Sequence, residues 1–470
     1  MGMAGARWDS MAQTGLLSRP AGNRRSCENP DRCNAAHGRP RSAGRTTAAT
    51  AVRRGATGET GPLGSRGAKG RGEFVKGLLE SRTGAAIVER YLLLSLRLGR
   101  HIDGFVDFYY GPPELAQRVK GEEPPPPGAL ADEARELTRS LGGLGEPQRQ
   151  RWVAAQLEGL AAVAERLDGS PMSYAEEVRR CYGIDLDPAT EDELAAAHRR
   201  LDELVPGKGP LGERYRAWRR ERELPPDALL PAAEALAAEL RRRTHELFGL
   251  PEGETAEFEL VSNEPWDAFN YYLGGRRSRV ALNTDIPLRA EVLPILVAHE
   301  LYPGHHTEHA LKEALLVDGR GQLEEAIAPV GTPQSLIAEG VATTALDILG
   351  KDAEVACAQI LAGLGAGYDV ELMRAVREAD KPIWRTDDSA AHLIHVEGRD
   401  LDEVRAFLRR WSLRPPNEVE KTIEFVTHPT WRSYVVVYET GRRLVEAWTG
   451  ADPARYRRLL TEQLTTAELL

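Results

Sequence analysis

The stretch VAHELYPGHHTEHA, residues 297–310, decides how the chain is built around its chemistry. His299-Glu300 opens the H-E-x-x-H pattern, in which two histidines one helical turn apart can share a zinc ion. Pro303 stands where the second histidine belongs, and His305 and His306 follow two and three residues late. On an unbroken helix His305 would lie about 9 Å along the axis from His299, and His306 about 10.5 Å. Donor atoms on one tetrahedral zinc sit only about 3.4 Å apart. A straight helix therefore fails. Pro303 has no N–H to give to residue 299, and Gly304 tolerates unusual dihedrals, so a local bulge can absorb two extra residues. Deleting Pro-Gly restores H-E-L-Y-H, which makes His305 the expected second ligand and His306 the alternative.

A catalytic zinc takes three protein ligands and keeps a fourth position for water. Downstream, TPQSLIAEGVATTALDILG (332–350) carries Glu339 among Leu, Ile, Ala and Val. A carboxylate in that setting is costly unless paired, and a cation would pair it. Gly340 beside it permits close approach of another helix. Upstream, SRVALNTD (278–285) runs into LRAEVLPILVAHELY (288–302). The first is expected to be an edge strand able to hold an extended peptide by backbone pairing, with Asn283 at its end contacting substrate. Leu293, Ile295, Leu296 and Val297 would bury the helix and leave His299 and Glu300 at its working end.

The 470 residues suffice for one large core or several smaller ones. Few aromatic residues (6%) and an abundance of Ala, Leu, Arg and Glu predict a mainly α protein. Residues 257–284 break that pattern with short alternating runs around Gly274-Gly275, which predict a small antiparallel β-sheet beside the active-site helix. Residues 1–72 carry 13 Lys/Arg against 4 Asp/Glu without apolar periodicity, and are expected to be a disordered basic tail. A helical part over 74–250 and a metal-site part over 251–470 follow. Within these, Pro124–Pro127 predict a rigid loop, and one long helix is expected over 352–379. The net charge of −10 argues against a nucleic-acid partner. No apolar run is long enough to span a membrane. Four scattered cysteines (Cys27, Cys33, Cys181, Cys357) fit no zinc or disulfide framework and suit reduced thiols in the cytoplasm. Oligomeric state is not legible.

HELYPGHH resembles the H-E-x-x-P-G-H-H signature of the bacterial family labelled domain of unknown function 885. AEGVATTA resembles that family's E-G-W-A-L-Y-A-E segment, and YETGRRLV its Y-x-x-G-x-x-x-I segment. The family is related to largely helical zinc peptidases with a glutamate third ligand. The resemblance implies a helical, zinc-peptidase-like cleft fold with one zinc ion on His299, His305 and Glu339. Val341 and Thr344 stand where Trp and Tyr are usual, and Leu346 where an acid is, which alters the pocket but not the ligands.

The expected activity is zinc-dependent hydrolysis of peptide bonds in short peptides. Glu300 would take a proton from the attacking water and pass it to the leaving amine. Tyr438 is the candidate donor to the oxyanion, with Tyr434, one turn earlier, as its understudy and a substrate contact. Arg442 or Arg443 would receive a substrate carboxylate, and His428 is a more distant donor. Two other readings use the same residues: a metal-dependent amide or ester hydrolase on a small molecule, and a helical protein that binds metal without turnover. Retention of Glu300 beside His299 disfavours the last.

Overall fold

In the computed structural model the backbone is described over residues 67–264 and 268–470, and side chains from 83 onward. Most of the expected tail, 1–66, lies outside the described residues. Its last six positions belong to helix α1 (Gly67–Leu98), which starts ahead of the apolar pattern that opens at Phe74. Once a turn is nucleated, each added residue gains a hydrogen bond, so a helix can run back over polar positions.

The protein is mainly helical. Tyr91, Leu92, Leu94 and Leu98 of α1 are buried in one apolar core shared with α2 (Pro147–Leu167) and α3 (Pro226–Phe248). That same core takes in Leu293, Leu296 and Val297, so it runs across position 250 and joins the helical part to the metal-site part. A satellite core gathers Leu194, Leu201, Tyr215, Met373 and Trp411. The four prolines at 124–127 make a loop only up to the last, because Pro127 opens the helix Pro127–Ser140. At that position its missing N–H has no helical partner to lose.

The site is built by four short or medium helices: α4 (Leu293–Glu300), α5 (His305–Lys312), α6 (Pro333–Thr343) and, later in the chain, α8 (Val436–Thr449), with α7 (Val370–Trp384) nearby. The single helix expected over 352–379 is two, Lys351–Gly363 and α7, separated where Gly365 takes φ +82. Glycine is the residue that reaches that region without strain. Among the described residues no helix is long and apolar enough to cross a membrane.

The expected small sheet is present. Strand β1 (Val106–Tyr109) pairs antiparallel with the late strand β5 (Ile327–Pro329). Strands β2 (Thr255–Val261), β3 (Ala268–Gly274) and β4 (Arg277–Asn283) form the second sheet in the order β2-β4-β3. The β3–β4 hairpin turns at Gly274 and Gly275, both at positive φ, and is antiparallel; β2 runs parallel to β4 on its other side. This corrects the expectation that β4 is an edge. The tight turn fixes β3 on one side of β4, and the backbone groups of β2 find partners on the other. With both edges taken, β4 cannot pair with a peptide.

Candidate functional site

Helix α4 has all eight residues buried, as an apolar segment without a polar face must be. It stops at Glu300, where Pro303 ends the supply of backbone donors. Residues 301–304 then bridge to the next helix. Gly304 N–H donates to the Ala298 carbonyl (2.9 Å) and Thr307 N–H to the Leu301 carbonyl (3.2 Å), so i→i−6 bonds replace the helical i→i−4 pattern. The Thr307 hydroxyl donates to the same Leu301 oxygen at 2.8 Å. A Cβ on Gly304 would collide with the carbonyl oxygens of His299 and Ala298, so only glycine fits. Helix α5 restarts at His305.

This break brings the expected ligands together. His299 Nε2 and His305 Nε2 stand 3.2 Å apart, with the rings nearly perpendicular at 86°. Glu339 completes a triangle, Oε2 lying 3.6 Å from His299 Nε2 and Oε1 3.8 Å from His305 Nε2. The edge of a tetrahedral zinc site is about 3.4 Å, so two imidazoles and a carboxylate are spaced as ligands of one ion. All three residues are buried. His306 turns the other way, its Nδ1 at 2.8 Å from Ser278 Oγ and its Nε2 at 2.8 Å from Glu254 Oε2, and so is no part of the triangle.

Glu339 reaches the histidines because α6 and α8 touch backbone to backbone. A Cβ on Gly340 would collide with the Gly441 carbonyl, and one on Gly441 would lie 2.5 Å from the Leu336 oxygen. The close approach expected from Gly340 therefore has its counterpart on α8. Just ahead of α8, Tyr434 donates its hydroxyl to Glu339 Oε1 at 3.3 Å.

Glu300 is fully buried, with Oε1 3.9 Å from His299 Nε2, beside the triangle. Its backbone carbonyl, at the end of α4, accepts from Asn270 Nδ2 at 2.5 Å. From β3, Tyr272 donates its hydroxyl to the Glu313 carboxylate just beyond α5, and the same carboxylate accepts from the amides of Gly275 (2.8 Å) and Arg276 (3.0 Å). The hairpin is thereby fixed to the helix that carries His305. His309, one turn on, stacks on His305 (centroids 5.9 Å) and meets Phe108 edge-on at 4.5 Å.

Tyr438 is buried, edge-on to Tyr434 at 5.7 Å, and lines a cavity of about 630 Å³ with Ile295, Thr344, Leu346, Trp384 and Arg442. Among the described lining residues none is His299, His305 or Glu339. Arg442 is held by carboxylates on its own helix, 2.7 Å to Glu439 and 2.5 Å to Glu446, and lies over the Trp384 ring. Asn283 is fully buried, donating from Nδ2 to the Glu264 carbonyl (2.8 Å) and accepting at Oδ1 from the Asp285 amide (3.0 Å). It closes the turn after β4. Arg443 pairs with Asp187 (2.5 Å), and His428 Nδ1 accepts from the amides of Thr430 and Trp431, both at 3.1 Å. Cys181 and Cys357 are buried free thiols, each pushed up in pKa by burial.

Sequence reasoning missed Asn270 and Glu254, polar residues whose partners lie 30 and 52 positions away. No local pattern could have marked them.

No protein-family model matches the chain, and no curated protein matches it. Among solved structures, it is similar to "the putative lipoprotein from Colwellia psychrerythraea", at 14% identity and TM-score 0.47 over 76% of this chain and 68% of that one. It is also similar to "a putative lipoprotein of unknown function from Shewanella oneidensis", at 12% identity and TM-score 0.44 over 81% of this chain and 72% of that one. At TM-scores below 0.5 neither likeness bears on activity.

Proposed function

We propose that the protein is a zinc-dependent hydrolase of peptide bonds in short peptides, related to the domain of unknown function 885 family. The observation that carries this reading is the triangle of His299, His305 and Glu339 with the Glu300 carboxylate alongside. Two imidazole nitrogens and a carboxylate oxygen suit zinc among the divalent ions. When bound, the metal polarises a carbonyl and makes water acidic enough to be deprotonated near neutral pH.

The chain's own groups supply the rest. His299 and His305 would hold the ion through Nε2 and Glu339 through its carboxylate, oriented by the Tyr434 hydroxyl. Glu300 takes the proton from the attacking water and delivers it to the leaving amine, as a carboxylate in a dry site is suited to do. Tyr438, one turn beyond Tyr434, is assigned the hydrogen bond to the developing oxyanion. The burial of all three ligands favours short, unstructured substrates over folded ones.

The test is metal analysis followed by digestion of a mixed peptide library. One equivalent of zinc, with cleavage that a chelator abolishes and zinc restores, supports the reading. Zinc without peptide cleavage, but with hydrolysis of small amides or esters lost in Glu300→Gln, would shift the substrate class. Absence of divalent metal from protein equilibrated with zinc would end it.

A further inference from the structure

We propose that Glu254 is the positioning residue of this site: its one carboxylate clamps both flanks of the Pro303-Gly304 break and so fixes where His305 stands. The proposal rests on the metal reading above and goes beyond it.

Residues 301–304 have left α4 and not yet entered α5, so no regular helix sets the location of His305. What sets it must hold the chain on either side. Tyr302, immediately before Pro303, donates its hydroxyl to Glu254 Oε2 at 2.9 Å. His306, immediately after His305, places Nε2 at 2.8 Å from that same oxygen. One acceptor atom thus ties together the two residues that bracket Pro303, Gly304 and His305. The other oxygen, Oε1, accepts from Arg241 Nε at 2.7 Å.

The clamp is anchored to rigid elements. Arg241 belongs to α3, and Glu254 directly precedes β2. Ser278 of β4 lies 2.8 Å from His306 Nδ1. An Nε2–H directed at the carboxylate leaves Nδ1 to accept from the Ser278 hydroxyl, so one neutral tautomer satisfies both contacts. The side chains of His306 and Glu254 have no exposed surface, so bulk solvent does not compete for this contact. The last histidine of HELYPGHH, His306, is therefore explained as a strut, and its partner is a glutamate outside the His299–His305–Glu339 triangle.

Groups behind metal ligands typically change metal affinity by about 10–100-fold when removed. The experiment compares the full-length protein with Glu254→Gln, His306→Gln, Tyr302→Phe and the double variant Tyr302→Phe/Glu254→Gln. Zinc affinity is read by competition with a chromophoric chelator, coordination geometry by the visible spectrum of the cobalt(II) form, and folding by the Tm of the metal-free protein. Glu254→Gln and His306→Gln are expected to weaken zinc about 10–100-fold and to alter the cobalt bands. Tyr302→Phe is expected to have a smaller effect that vanishes in the Glu254→Gln background, because both act through one acceptor. A lowered Tm with unchanged zinc affinity and cobalt spectrum would reduce Glu254 to a packing role and overturn the proposal. Should Glu254→Gln fail to fold, Tyr302→Phe removes a single hydroxyl and decides the matter by the same readouts. If the variants match a metal-binding wild type, the clamp alone is wrong; if the wild type takes up neither zinc nor cobalt, the metal reading fails and the clamp with it.

Discussion

His299 and His305 are six residues apart in the chain, yet their Nε2 atoms face each other at 3.2 Å. A straight helix would separate the two residues by about 9 Å along its axis. The difference is made by the Pro303-Gly304 break. This relationship separates the two adjacent histidines by role. His305→Ala is expected to abolish stoichiometric zinc binding, whereas His306→Gln should still reach one equivalent at saturating zinc. Metal content after equilibration and gel filtration checks it; equal loss in both would place His306 among the ligands.

Glu300 lies beside the triangle without closing it, and the proposed function gives it proton transfer instead of ligation. Glu300→Gln preserves the shape of the side chain and removes its basicity. The variant should keep zinc and lose at least about 100-fold in peptide cleavage, the lower end of what a positioned base contributes. Initial rates on a fluorogenic peptide, set beside metal content, measure this directly.

The contact between Gly340 and Gly441 places Glu339 against the histidines. Gly441→Ala would set a methyl group 2.5 Å from the Leu336 oxygen and push α6 from α8. Overpacking of this kind costs about 1–3 kcal/mol. Denaturant titration should show that loss, and zinc affinity should fall with it because the displaced helix carries the proposed ligand Glu339. Unchanged zinc affinity in a destabilised protein would detach the helix contact from the site.

How much of this was legible in the sequence depends on where each residue's partner lies. His299, Glu300 and His305 are neighbours in the chain, and the helix-breaking pair between them is visible in the letters. Glu339 stood out because its own helix is apolar. Long helices such as α3 were legible because Leu229, Leu236 and Leu240 repeat on one face. The helix Thr386–His395 was not, because it buries Asp387 and Asp388. Asp387 is acceptable there through a buried pair with Arg414, 27 residues on, which no local pattern reveals. The central position of β4 was hidden for the same reason, since its parallel partner β2 is chosen across a hairpin.

A buried carboxyl away from the site gives the protein a pH-dependent stability. Burial pushes the Glu325 carboxyl up to about 7, against the pull of Lys312, with Glu324 and Glu308 adding to the rise. In the unfolded chain a glutamate titrates near 4.3. Below that value both states hold the proton and the contribution is whole. Between about 4.3 and 7 the folded protein keeps the proton that the unfolded chain has released, so stability falls as pH rises, by about 4 kcal/mol in all. Glu325→Gln should flatten that part of the profile and leave the variant more stable than the wild type at pH 8. Urea unfolding at pH 5, 6, 7 and 8 is the measurement; parallel profiles would reject the assignment.

A lone residue added to a helix swings everything past it around the axis by about 100°. A chain with one extra residue between His299 and its partner imidazole would aim the two imidazoles apart. Two residues arranged as here bring them back together, but only with a glycine where no methyl fits and a proline that halts the first helix. The facing of the two imidazoles thus hangs on one position, 304, where even a single methyl group would have to displace two carbonyl oxygens.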